Sequence, residues 1–168
     1  LTEASYYEVI QRKTAELFAG ACQSAAVVAG ADDEKTQAMR AYGNHLGLAF
    51  QLVDDYLDYA GDSNALGKNI GDDLAEGKLT LPLIRALEVC KEKFTHDHDN
   101  LLEIISKKNR ERIDEVTAIV QKTGALDYTL DAAHFQRKQA QSSLTLLSSS
   151  DHRNALSELA DYVVQRIS

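Results

Sequence analysis

Proline occurs once in these 168 residues, at Pro82, and tryptophan does not occur at all. With the strongest helix breaker almost missing, and Ala, Leu, Glu, Gln and Lys frequent, long helices meet few interruptions. No apolar run reaches the roughly 20 residues needed to cross a bilayer, and no secretory leader is visible, so no integral membrane segment is expected. Positive charge is in deficit: 18 Lys and Arg stand against 26 Asp and Glu, a net −8. Nucleic acid is therefore not an expected partner, because neutralising phosphates takes a basic face, and an anionic membrane surface is disfavoured for the same reason. An acidic chain still binds an anionic substrate if it carries a divalent cation. Cysteine is scarce as well. Cys22 and Cys90 lie far apart in apolar surroundings without CxxC spacing, which reads as two small buried hydrophobes in a reducing compartment.

What is present is helical periodicity nearly from end to end. A first helix is expected from Thr2, as N-cap, to Ala29, with Gly30 ending it and small residues from Ala19 to Ala29 allowing close helix approach. A second runs from Asp32 or Asp33 to Tyr59, with Met39, Tyr42, Leu46, Ala49, Phe50, Val53 and Leu57 as its apolar stripe. Gly61 to Lys78 reads as a Gly- and Asp-rich loop holding a turn of helix near Asp73 to Glu76. Thr80 and Pro82 open a helix reaching about Lys91, and His96 to Asn100 is expected to be a connector. Helices over about 100–107, 110–122 and 126–147 follow, then a last one capped by Asp151 and running to about Ile167. No stretch alternates as a strand does. The expected fold class is an all-α bundle.

One segment carries chemistry. In AFQLVDDYLDY, residues 49–59, Gln51, Asp54, Asp55 and Asp58 stand at i, i+3, i+4 and i+7 and share a helix face opposite the apolar stripe. Like charges so spaced repel. A magnesium ion would reconcile them, since it takes oxygen ligands and bridges carboxylates to substrate phosphates; a solvated acidic face is the alternative. In the following LGKNIGDDLAEGKLTLP, residues 66–82, Lys68 and Lys78 suit a diphosphate as point charges, unless they pair with Asp72, Asp73 or Glu76. Lys13-Thr14 in the first helix says little alone. His96-Asp97-His98-Asp99 places its histidines at i and i+2, off a common helix face, and His45 sits at the edge of the apolar stripe, suited to packing or hydrogen bonding.

Taken in order, these motifs resemble the trans-isoprenyl diphosphate synthase family. Phe50-Gln51 precedes a DDxxD at Asp54-Asp55-Tyr56-Leu57-Asp58; Gly67-Lys68, Gly71-Asp72-Asp73 and Gly77-Lys78 match its GK, GxD and GK loop; Lys13-Thr14 matches its upstream KT pair. The wording GKNIGDDLAEGKLTLPL looks most like octaprenyl and related long-chain synthases. The resemblance implies the helical bundle of the isoprenoid synthase type and the condensation of an allylic prenyl diphosphate with isopentenyl diphosphate. It further implies three Mg2+ per complete active site, a homodimer, a cytoplasmic location and a product destined for ubiquinone or menaquinone side chains. It assigns Asp54, Asp55 and Asp58 to metal binding, Asp54 most directly. Lys13, Lys68 and Lys78 would contact the diphosphate. Lys13, Thr14, Gln51 and Lys68 would serve catalysis, Thr14 and Gln51 by orienting the prenyl end. Arg166 resembles the basic tails that approach a diphosphate in related enzymes. The family's first aspartate-rich motif and its isopentenyl diphosphate site are missing from these residues. The expectation is therefore the C-terminal part of one synthase domain, the N-terminal half being absent. Two other readings share the motifs: a non-catalytic subunit of a heteromeric prenyl synthase, and a terpene cyclase-like lyase.

Overall fold

The chain's first helix begins where the sequence offers a cap. Thr2 Oγ1 accepts the Ser5 N–H at 3.3 Å and Ser5 Oγ accepts the Thr2 N–H at 2.9 Å, so two donors that a helix start leaves open are satisfied reciprocally. In the computed structural model, which describes residues 2–60 and 71–166, α1 covers Glu3–Ile10, a π-helical turn covers Gln11–Ala15 and α2 covers Glu16–Val28. A Schellman motif ends α2: Gly30 takes a left-handed φ of 71°, its N–H donates to the Val27 carbonyl, and the Ala31 N–H donates to the Ala26 carbonyl, both at 3.0 Å. The long α3, Asp33–Ala60, starts under Asp32, whose Oδ1 accepts the Lys35 N–H at 2.8 Å. Then come α4 (Asp72–Glu76), α5 (Leu81–Lys93), α6 (Thr95–Lys107), α7 (Ile113–Lys122), α8 (Ala125–Ser143) and α9 (Asp151–Gln165), with 3-10 turns at Arg110–Arg112 and Leu144–Leu146. Among the described residues there is no strand, and the all-α expectation holds. None of the described helices is long and apolar enough to cross a membrane.

Two expected boundaries are corrected. His96 to Asn100 is not a connector but the first half of α6. The break falls earlier, at Phe94, whose φ of −141° leaves the helix. Asp97 then favours the new helix start and bonds Lys122 Nζ at 2.7 Å, while Leu101 and Ile104 bury the other face. The cap of α9 is Ser150 rather than Asp151: Ser150 is extended and its Oγ accepts the Arg153 N–H at 3.2 Å. Residues 61–70, read as a loop from the sequence, lie outside the described residues.

The chain divides into two compact units, Leu1–Tyr6 with Asp54–Leu130 and Tyr7–Val53 with Asp131–Ser168. The core of the first is a cluster including Tyr59, Leu74, Leu83, Leu101, Ile104 and Val120, with Cys90 among them as a free thiol. Its rim is tied by Arg85 over the Tyr128 ring at 4.7 Å and Lys122 over the Phe94 ring at 4.2 Å. In the second unit Tyr42, Leu46, Ala49, Ala140, Leu144, Ala160 and Val163 form the core. The Tyr42 hydroxyl donates to the Leu156 carbonyl at 2.8 Å, and His45 Nδ1 meets Gln136 Oε1 at 2.7 Å, the hydrogen-bonding role expected of that histidine. Here α3 approaches the chain's first helices at backbone range. A Cβ on Gly43 would stand 2.3 Å from the Phe18 carbonyl oxygen, and one on Gly47 would stand 2.7 Å from Ala15 Cα. Only glycine permits that approach.

Candidate active site

In the first unit the C-terminal end of α3 presents its acidic residues in two ways. Asp54 and Asp58, one turn apart, are half-buried, whereas Asp55 is buried. At about 100° per residue, Asp55 falls between the Asp54–Asp58 face and the buried Leu52 and Tyr59. The shared face expected of all three carboxylates therefore narrows to Asp54 and Asp58. Tyr6 in α1 donates its hydroxyl to Asp55 Oδ2 at 2.6 Å, which keeps a buried carboxylate solvated by protein.

Asp58 has a second task. Its Oδ1 and Oδ2 accept the N–H groups of Asp72 and Asp73 at 3.2 and 3.3 Å, capping α4 from outside, and its carbonyl accepts the Gly71 N–H at 3.1 Å. Gly71 is left-handed at φ 79° and lies over Ile113, where a Cβ would come within 2.6 Å of Cδ1. Leu74, fully buried, anchors α4 in the core. Burial, then the neighbouring Asp73, raises the Asp58 carboxyl from an ordinary 3.8 to about 6, against the lowering effect of the two amides. Basic groups already answer the remaining acids: Arg110 pairs with Asp72 at 3.0 Å, and Lys78 pairs with Asp73 at 3.0 Å and Glu76 at 2.5 Å. Those partners raise the Lys78 ammonium above its usual range. Of the two loop lysines, Lys78 thus rests on the acidic neighbours that the sequence offered it, and Lys68 lies outside the described residues.

In the second unit the Lys13-Thr14 pair occupies the π-helical turn, where the Glu16 N–H reaches back five residues to the Gln11 carbonyl. Such turns insert one residue into the helical ladder and recur at functional sites. The close packing of Ala15 on Gly47 brings this turn against α3, and one turn beyond Gly47 the Thr14 hydroxyl donates to Gln51 Oε1 at 2.9 Å. Lys13 is exposed. Arg166 stacks on the Phe50 ring, 4.9 Å from its centroid. Sequence reasoning missed Tyr6, the π-turn and the Gly43–Gly47 contact. Only the last had a signal, a GxxxG spacing inside a helix.

Among the described residues no three Asp, Glu, His or Cys side chains converge into a ready-made metal cage. Mg2+ does not need one, because it keeps waters and is commonly held by one or two carboxylates plus substrate phosphates. The oxygen donors of Asp54 and Asp58, with Asp58 crowded by further negative charge, fit that ion.

The fold and this acidic helix define a class. The Polyprenyl synthetase family model matches residues 1–123, and the chain belongs to that family. It is 43% identical to the octaprenyl diphosphate synthase of Haemophilus influenzae over 98% of this chain and 50% of that protein. It is 39% identical to a short chain isoprenyl diphosphate synthase of Methanothermobacter thermautotrophicus over 99% of this chain and 50% of that one. The crystal structure of a polyprenyl synthase from Caulobacter crescentus, complexed with calcium and isoprenyl diphosphate, matches with a TM-score of 0.89 at 43% identity, covering 100% of this chain and 51% of that one. The chain spans about half the length of the curated relatives it matches.

Proposed function

We propose that this chain is the C-terminal part of a trans-polyprenyl diphosphate synthase, a single domain whose upstream half carries the first aspartate-rich motif. The reaction is elongation of an allylic prenyl diphosphate by isopentenyl diphosphate. The observation that carries this reading is the α3 end, where Asp54 and Asp58 stand half-buried on one face and where burial, then the neighbouring Asp73, pushes the Asp58 carboxyl up to about 6. Such crowding is relieved by a bound cation. Mg2+, once bound, supplies positive charge where the departing diphosphate gathers negative charge.

The chain's own residues divide the work. Asp54 and Asp58 hold the cation, with Asp55 behind them. Lys13, Lys68 and Lys78 take the diphosphate oxygens. Lys78 exchanges its Asp73 and Glu76 partners for the substrate, and its long stem allows this. The Thr14 hydroxyl, fixed by Gln51, keeps its oxygen lone pairs beside the prenyl end, where positive charge develops. An octaprenyl product for quinone side chains is the finer form of the proposal, in keeping with the likeness to the octaprenyl synthase; the short-chain relative at similar identity gives product length its own assay. A cytoplasmic homodimer belongs to the same reading.

These residues alone are expected to be inactive, so the test is incubation of the full-length protein, upstream half included, with labelled isopentenyl diphosphate, an allylic primer and Mg2+. A ladder of linear prenyl diphosphates is expected, its longest rung giving the product length. A hydrocarbon product would instead indicate a cyclase. Asp54→Ala is expected to lower turnover by on the order of a hundredfold or more with the fold intact by circular dichroism. Turnover near the unmodified level would remove Asp54 from the site.

A further inference from the structure

Among the described residues of the first unit, Tyr6 gives its hydroxyl to the acidic motif. Tyr6 and Asp55 are each 3% exposed, and the hydroxyl-to-carboxylate distance of 2.6 Å lies in the short range of a charge-assisted bond. The two stand 49 positions apart in the chain. A phenylalanine would fill the same space, so what the hydroxyl adds is directed at the carboxylate. Tyr6 is itself held in place. Its N–H donates to the Thr2 carbonyl at 3.0 Å, and the start of α1 is fixed where the Tyr128 hydroxyl meets both Glu3 oxygens at 3.0 and 2.9 Å. The donor thus arrives from a braced helix end, and α3 supplies the acceptor.

The geometry points to Tyr6 as a positioning residue for the cation site, its hydroxyl holding the Asp55 carboxylate inward so that Asp54 and Asp58 alone face the ion. This rests on the synthase reading above. Asp55 then adds negative charge from behind without spending a coordination position, and the pair Asp54–Asp58 keeps room for water and substrate oxygens. Groups placed behind the ligating side chains set how firmly an ion is held, and losing one commonly costs about tenfold or more in metal affinity.

The experiment measures Mn2+ binding, as a paramagnetic substitute for Mg2+, by electron paramagnetic resonance at one fixed pH. It compares the unmodified protein, Tyr6→Phe, Asp55→Asn and the double variant, with thermal melts alongside. Tyr6→Phe is expected to weaken Mn2+ binding by on the order of tenfold, and the double variant to be no weaker than the weaker single variant. A purely structural hydroxyl would lower the melting temperature and leave Mn2+ affinity alone. Affinity for Tyr6→Phe within about twofold of the unmodified protein, or losses that multiply in the double variant, would overturn the assignment. Should Tyr6→Phe fail to fold, Asp55→Glu supplies the second reading. With Tyr6 intact, one extra methylene displaces the carboxylate from its seat, and unchanged affinity there counts against the proposal equally. The two levels separate cleanly: no Mn2+ binding by the full-length unmodified protein, with inorganic pyrophosphate present, sinks the synthase reading itself, whereas normal binding with an indifferent Tyr6→Phe sinks only the positioning role.

Discussion

Gly20, Gly43 and Gly47 lie in helices of one unit, yet alanine at these positions should have opposite effects. At Gly20 a new Cβ meets nothing within 4 Å and the backbone is ordinary helix, so Gly20→Ala gains only helix propensity, about 1 kcal/mol. At Gly43 the same Cβ would stand 2.3 Å from the Phe18 carbonyl oxygen, 2.7 Å from its carbonyl carbon and 2.9 Å from Ala19 Cα, all backbone atoms that no side-chain rotation can move. Ordinary contact needs roughly 3.5 Å, so α3 and α2 must part by on the order of 1 Å. Overpacking of that kind costs about 1–3 kcal/mol, and a backbone clash belongs at the upper end, leaving a net loss of roughly 2 kcal/mol after the propensity gain. The two variants should differ by about 3 kcal/mol. For a chain of this size that is on the order of 6–12 °C in melting temperature, with Gly20→Ala the higher. Circular dichroism melts under identical buffer decide it. Equal melting temperatures would refute the reasoning, since they would mean the helices separate without cost. The displacement should also be felt at the site: Ala15 packs on Gly47, one turn from the Thr14–Gln51 bond, so Gly47→Ala is expected to lower turnover as well as stability.

Two further outcomes follow from the electrostatics of the acidic end of α3. The folded-state Asp58 carboxyl, raised to about 6 from 3.8, binds its proton more tightly than the unfolded chain does. Its contribution is therefore fully present below pH 3.8 and is lost as pH rises through about 6 in cation-free protein. The melting temperature without divalent metal should fall across that window, Mg2+ should restore it at the upper end, and Asp58→Asn should flatten the slope; a slope unchanged by the substitution would show that another group carries it. Lys78→Gln removes two ion pairs at the surface, so stability should move by no more than about 1 kcal/mol. If Lys78 exchanges these partners for substrate, KM for the allylic diphosphate rises in steady-state assays, and an unchanged KM would leave Lys78 as a surface pair alone.

The sequence by itself determined the helices and the order of the motifs, because both are local. Apolar spacing at 3.6 residues marks a helix wherever it lies, and the stop at Gly30 is legible because its left-handed φ of 71° suits glycine. The short α4 was legible in the turn expected near Asp73 to Glu76, and Gln51, Asp54 and Asp58 could be placed on one face by counting. Counting also put Asp55 with them, and there it reached its limit. Whether a residue at the edge of a face points to solvent or to core depends on what packs beside it, and Leu52, Tyr59 and Tyr6 turn Asp55 inward. Tertiary structure alone decided that Asp58 caps α4 from 14 positions away and that a π-turn sets Thr14 against Gln51. Each is a contact between segments whose separate patterns carry no record of the other, fixed by the closeness of packing that Gly43, Gly47 and Gly71 permit.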